Sequence, residues 1–105
     1  ARSMVEAGVP VAMASDFNPG SCPCLNMQFV IGLGCLKYKL TPEEVLTAVT
    51  LNGAAAIGMA DQIGSVEVGK LGDLVVWDAP DWTTSATALE AIWSKKLSKR
   101  GRMVP

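Results

Sequence analysis

Asp16 is the residue in this chain whose setting could do chemistry. The apolar run Val11-Ala12-Met13-Ala14-Ser15 ends on it, and the turn-forming stretch Phe17-Asn18-Pro19-Gly20-Ser21 follows at once. That is the pattern of a buried parallel strand delivering a carboxylate to the mouth of a barrel. A carboxylate so placed serves as a catalyst or a metal ligand. Taken alone, an Asp after a strand is also an ordinary turn or capping residue, and Asn18 an ordinary turn residue.

Other chemistries are excluded or weakened by composition. The chain contains no histidine, so it cannot by itself build a Ser-His-Asp triad or a histidine-based metal site. Cys22-Pro23-Cys24 suggests a metal or redox pair, but the spacing is not C-x-x-C and further ligands are missing. We read Cys22, Cys24 and Cys35 as plain loop and core residues. An odd number of cysteines without a secretory context favours reduced thiols and a cytoplasmic location. The formal net charge of −1 gives no electrostatic case for nucleic acid or an anionic membrane. No apolar run approaches the roughly 20 residues that a membrane helix needs.

The elements that must position Asp16 follow from local patterns. Ser3 to Ala7 reads as the last turns of a helix, with Gly8 as its C-cap. Val9 to Ser15 is a nearly all-apolar strand, as expected when both faces are covered. Asp16 to Cys24 is a loop, and Leu25 to Leu36 is a buried helix despite Gly32 and Gly34. Thr41-Pro42-Glu43-Glu44 is a helix start with a capping box, followed by core-facing Val45, Leu46, Ala48 and Val49. Asn52 is expected to cap a short helix over Gly53 to Ile57, which Gly58 ends.

After Asp61 the character changes. Ile63 to Lys70 reads as a short strand pair with glycine turns, and Leu74 to Trp77 as a strand closed by Asp78-Ala79-Pro80. Alanine and leucine return around Ala86 to Ile92. The basic tail Lys95 to Arg102 reads as a solvated strand and turn. Asp73 and Asp78 are expected to be turn and surface residues, and Trp77, Trp82 and Trp93 core or interface anchors. One parallel-type strand without a partner would leave its ladder groups unpaired. The chain, which lacks an initiator methionine, is therefore expected to be a piece of something longer. It would be the end of a barrel followed by a return into a small β domain.

These residues carry a resemblance. Glu6 to Ala12 and Ser15-Asp16-Phe17-Asn18-Pro19-Gly20-Ser21 are similar to the C-terminal part of the imidazolonepropionase family, within the metal-dependent amidohydrolases. The similarity continues through Met27, Thr41 to Glu44, Ala48 to Asn52, Ile57-Gly58, Ile63 to Lys70 and Gly72 to Pro80; the tail from Asp81 matches poorly. The G-x-x-x-x-G-K-x-x-D-L-V pattern from Gly64 to Val75 is common to many amidohydrolases and says little about substrate. The loop from Ser15 to Ser21 is much narrower. Gly72 stands where the superfamily often has Ala, a departure from the pattern.

The resemblance implies an α/β fold, the C-terminal fragment of a distorted (β/α)8 barrel plus part of a composite β-sandwich. Residues 1–60 would supply the last barrel strand and terminal helices, and residues 61–105 the C-terminal sandwich strands. It implies metal-dependent opening of the cyclic amide of 4-imidazolone-5-propanoate by water. The product would be N-formimidoyl-L-glutamate, a step in histidine degradation. The metal would be Zn²⁺ or Fe. Asp16 matches the family's aspartate for metal ligation and proton transfer. Asn18 and Gly20 match positions holding the formimidoylglutamate portion, and Ser21 one that contacts imidazolone propionate. The remaining ligands would be histidines upstream, so the fragment alone should be inactive. The implied partner is this small substrate, with no nucleic acid or membrane; a homodimer is left open. Two alternatives stay open: another amidohydrolase, a deaminase or cyclic-amide hydrolase, and a non-catalytic β-sandwich module.

Overall fold

Thr41 and Glu44 start a helix by satisfying each other's backbone. The Glu44 N–H donates to Thr41 Oγ1 at 3.3 Å, and the Thr41 N–H donates to Glu44 Oε2 at 2.8 Å. Pro42 occupies the first turn, where no N–H partner is needed. This helix, α3, spans Pro42–Val49. The computed structural model describes residues 1–87 and 94–104. Before α3 come α1 (Arg2–Glu6) and α2 (Met27–Leu36); after it come α4 (Leu51–Ala56) and α5 (Trp82–Thr87). The capping-box Glu44 also receives Arg2 from α1 through two bonds of 2.7 and 2.8 Å, so one carboxylate starts α3 and docks α1.

The core lies where α2, α3 and α5 meet. Ile31, Leu40, Val45 and Ala86 are buried together, with Val5, Met13, Cys35, Val49 and Trp82 against them. Gly34 explains why a helix tolerates glycine here. A Cβ on it would lie 2.8 Å from Val45 Cγ2 and 3.1 Å from Met13 Cε, so its absence lets α3 and Met13 come close. Trp82 ties α5 to the start of α3, its indole N–H donating to the Pro42 carbonyl at 2.6 Å. Its ring meets Trp77 edge-on at 6.4 Å between centroids.

Three strands, β1 (Leu74–Trp77), β2 (Ser94–Lys99) and β3 (Arg102–Val104), form an antiparallel sheet in the order β1-β2-β3. Leu74 pairs with Ser98 and Val76 with Lys96, and the register shifts between Val76 and Trp77. The basic tail is thus a strand and turn, as its composition suggested. Arg100 and Gly101 make that turn in left-handed conformations.

Three expectations are corrected. Val9 to Ser15 joins no ladder among the described residues; two of its backbone groups bond to helices instead. The Met13 N–H donates to the Ala48 carbonyl at 3.1 Å, and Asn52 Nδ2 donates to the Val11 carbonyl at 2.9 Å. Asn52 therefore does not cap α4, which begins at Leu51 after Thr50. Ile63 to Lys70 is a run of turns and bends, because no strand lies beside it among the described residues. Gly64 and Gly69 turn it in left-handed conformations. Lys70 Nζ holds it by donating to the Ala60 carbonyl and Ser65 Oγ, both at 2.7 Å. Of the alanine- and leucine-rich stretch from Ala86 to Ile92, Ala86 and Thr87 belong to α5; residues 88–93, with Trp93, lie outside the described residues.

Candidate active site

Asp16 is carried by the segment that leans on α3 and α4. Val11, Met13 and Ser15 are half-buried, whereas Ala12, Ala14 and Asp16 are exposed. This alternation with a period of two is that of extended backbone with one face on the helices. Asp16 shares the open face with the two alanines. Met13 anchors the segment, three residues before Asp16, by its bond to Ala48 and its contact with Gly34.

The chain then turns sharply. Asp16 has φ 51°, in the left-handed region that residues with a Cβ rarely enter and that Asp and Asn tolerate best. Asn18 organises the turn. Its Oδ1 accepts from the N–H of Gly20 at 3.0 Å, the N–H of Ser21 at 2.7 Å and the hydroxyl of Ser21 at 3.2 Å. Its Nδ2 donates to the Asp16 carbonyl at 2.8 Å. Asn18 and Cys22 exchange backbone bonds of 2.9 and 3.3 Å, which closes the loop. The Cys22 thiol donates to the Ser15 carbonyl at 3.0 Å.

Asp16, Asn18, Gly20 and Ser21 are thus brought together in one loop, each in a different state. The Asp16 carboxylate is exposed and receives no hydrogen bond from the described residues. The Asn18 side chain is largely spent on the loop itself, keeping one N–H free for a ligand. The backbone N–H groups of Gly20 and Ser21 point at Asn18 Oδ1 rather than outward. An anion approaching them meets that oxygen first. The Ser21 hydroxyl keeps its acceptor lone pairs. A Cβ on Gly20 would touch Asn18 Oδ1 at 3.4 Å, an ordinary contact, so the loop itself does not demand glycine there.

As a metal site the loop would supply a single carboxylate. Asp16 offers a hard oxygen donor suited to Zn²⁺ or Fe. Among the described residues, no three His, Cys, Asp or Glu side chains gather to hold an ion. Two surface grooves, one between residues 5–11 and α3 and another between α4 and β1, are not lined by the loop.

Two residues given no functional role from the sequence matter here. Cys22 braces the peptide before Asp16, and nothing in its local pattern signals that. Asn26 caps α2, accepting from the N–H groups of Gln28 and Phe29, which fixes where the loop ends. An Asn just before an apolar helical run was a legible signal for this. The three cysteines are free thiols, and no helix among the described residues is long and apolar enough to cross a membrane.

Comparison with known proteins places these features. The chain is 57% identical to the imidazolonepropionase of Alkaliphilus metalliredigens over 104 residues, covering 99% of this chain and 25% of the relative. It is 54% identical to that of Fusobacterium nucleatum over 104 residues, again 99% of this chain and 25% of the relative. With the enzyme of Alkaliphilus oremlandii the match is 57% over 81 residues, 77% of this chain and 19% of the relative. The similarity therefore runs through the tail after Asp81 in some relatives, further than the motifs alone suggested. The chain spans about a quarter or less of the length of these curated relatives. A solved amidohydrolase from Thermotoga maritima MSB8 superposes with a TM-score of 0.74 at 27% identity, covering 98% of this chain and 24% of that one. The amidohydrolase family model matches residues 1–104, nearly the whole chain. With helices and sheet arranged as in a solved member, this chain belongs to the amidohydrolase family.

Proposed function

We propose that this chain forms part of an imidazolonepropionase, an enzyme that opens the cyclic amide of 4-imidazolone-5-propanoate with water to give N-formimidoyl-L-glutamate. The observation that carries this reading is the exposed Asp16 carboxylate, without a hydrogen-bond partner among the described residues and held on the Ser15–Ser21 loop. The 57% and 54% identity to imidazolonepropionases over 104 residues supports it.

The reaction needs a base for water and an acid for the leaving ring nitrogen. Asp16 serves as both: its carboxylate accepts the proton from the attacking water and then delivers it to the nitrogen as the C–N bond breaks. When bound, Zn²⁺ or Fe supplies the Lewis acidity that makes water a nucleophile near neutral pH. Asp16 would give that ion one oxygen ligand, and histidines outside this chain would give the rest. Asn18 presents its remaining N–H and Ser21 the acceptor lone pairs of its hydroxyl to the substrate, and Gly20, lacking a side chain, leaves room beside them. We assign residues 1–60 to the end of the barrel and residues 61–105 to the sandwich. The free thiols suit a cytoplasmic enzyme of histidine degradation.

The test is made in the full-length protein. Asp16→Asn should lower kcat by about 10²–10⁴-fold, the usual worth of a positioned acid–base group, with the circular-dichroism spectrum unchanged. A kcat near wild type would rule out this role.

A further inference from the structure

Asp16 is gripped from both sides. The peptide group before it ends in the Ser15 carbonyl, which accepts the Cys22 thiol at 3.0 Å. The peptide group after it ends in the Asp16 carbonyl, which accepts Asn18 Nδ2 at 2.8 Å. The two gripping residues are bonded to each other through their backbones. Both Ser15 and Cys22 are half-buried, so water competes only partly for this bond. Between the two grips sits a residue with φ 51°, a conformation that an unrestrained Asp would leave for more populated regions.

We propose that Cys22 is a positioning residue: with Asn18 it locks the backbone on either side of Asp16, and so fixes the direction in which the carboxylate leaves the chain. The kinetic consequence rests on the proposed role of Asp16, whereas the lock itself is a property of the loop. A cysteine that merely fills space would be replaceable by any residue of similar volume. A cysteine that donates is replaceable only by another donor, and serine is the smallest one.

The experiment compares Cys22→Ala, Cys22→Val and Cys22→Ser in the full-length protein. Ala and Val should each lower kcat by about tenfold with KM within about twofold, since orientation of a proton-transfer group acts on the transition state rather than on binding. Ser should recover most of the loss. Hydrogen exchange of the amides in residues 15–22, read by mass spectrometry, should quicken by about tenfold in Ala and Val and return towards wild type in Ser. Ala and Val bracket the volume of the thiol, so failure of one to fold leaves the other as the comparison. Wild-type kcat and exchange in both apolar variants would overturn the proposal, as would a Ser variant that behaves like Ala. Exchange follows the lock whether or not the protein turns over. Thus an inactive wild type that keeps this exchange pattern would discard the imidazolonepropionase reading and retain the lock. An active wild type whose apolar variants exchange normally would do the reverse.

Discussion

Gly72 shows how one residue departs from a family habit for a local reason. The superfamily often carries Ala at this place, yet a Cβ here would lie 2.7 Å from the Gly101 nitrogen and 2.9 Å from its Cα. Those are backbone atoms, and they cannot swing aside as a side chain can. The approach is tight because the Gly101 N–H and the Ser98 hydroxyl both donate to the Gly72 carbonyl, at 3.0 and 2.8 Å. Asp73 next to it bonds Lys99 and the Arg100 N–H, so the pair staples the start of β1 to the β2–β3 turn. Gly72→Ala should cost about 1–3 kcal/mol, the usual range for overpacking. Chemical denaturation of the full-length variant checks this; an unchanged midpoint would mean that the turn relaxes freely.

At the scale of elements, the junction of α1 and α3 makes part of the stability depend on pH. The Arg2 side chain holds the Glu44 carboxyl below its ordinary value, the Thr41 N–H helps, and partial burial opposes them. A carboxyl with a lowered folded pKa contributes stability above its unfolded value of about 4.3 and loses it as pH falls through the lower folded value. Arg2→Met should therefore reduce the Tm at pH 7 and make no difference well below pH 4. A deficit that persisted in acid would assign the effect to packing rather than to the pair. The Asp16 segment illustrates the same scale in another way. Its apolar composition announced a strand, but it has no ladder partner among the described residues. Ala48 and Asn52 instead bond its Met13 N–H and Val11 carbonyl.

For the whole molecule, what it leaves exposed is informative. Val66 and Val68 are 85% and 107% exposed, and Leu25 and Ile57 are also open to solvent. The radius of gyration of 14.1 Å exceeds the about 13 Å expected of a compact domain of this length. The chain spans a quarter of its relatives' length, and under the proposed function apolar surface of this kind would pack against further parts of the enzyme. The segment expressed alone should give no turnover of imidazolone propionate with Zn²⁺ or Fe²⁺ and should bind a hydrophobic dye. Measurable hydrolysis by it would show that the missing ligands are not needed.

Sequence alone determined the features whose physics is local. Capping-box geometry at Thr41 and Glu44, the turn residues from Asp16 to Cys24, the helix end at Gly8 and the strand of the basic tail each depend on residues a few positions apart. Family membership was legible for a related reason, since the Ser15–Ser21 run and the glycine-lysine pattern after Gly64 are contiguous. Tertiary structure decided everything that joins distant residues. It placed Asn52 against Val11 instead of at a helix start, and it turned the expected strand pair of Ile63 to Lys70 into bends held by Lys70. It also enlisted Cys22 to brace Asp16. A hydrogen bond to a carbonyl seven residues away, or to one 41 residues away, depends on how the chain is folded in space, and no periodicity along it encodes that distance.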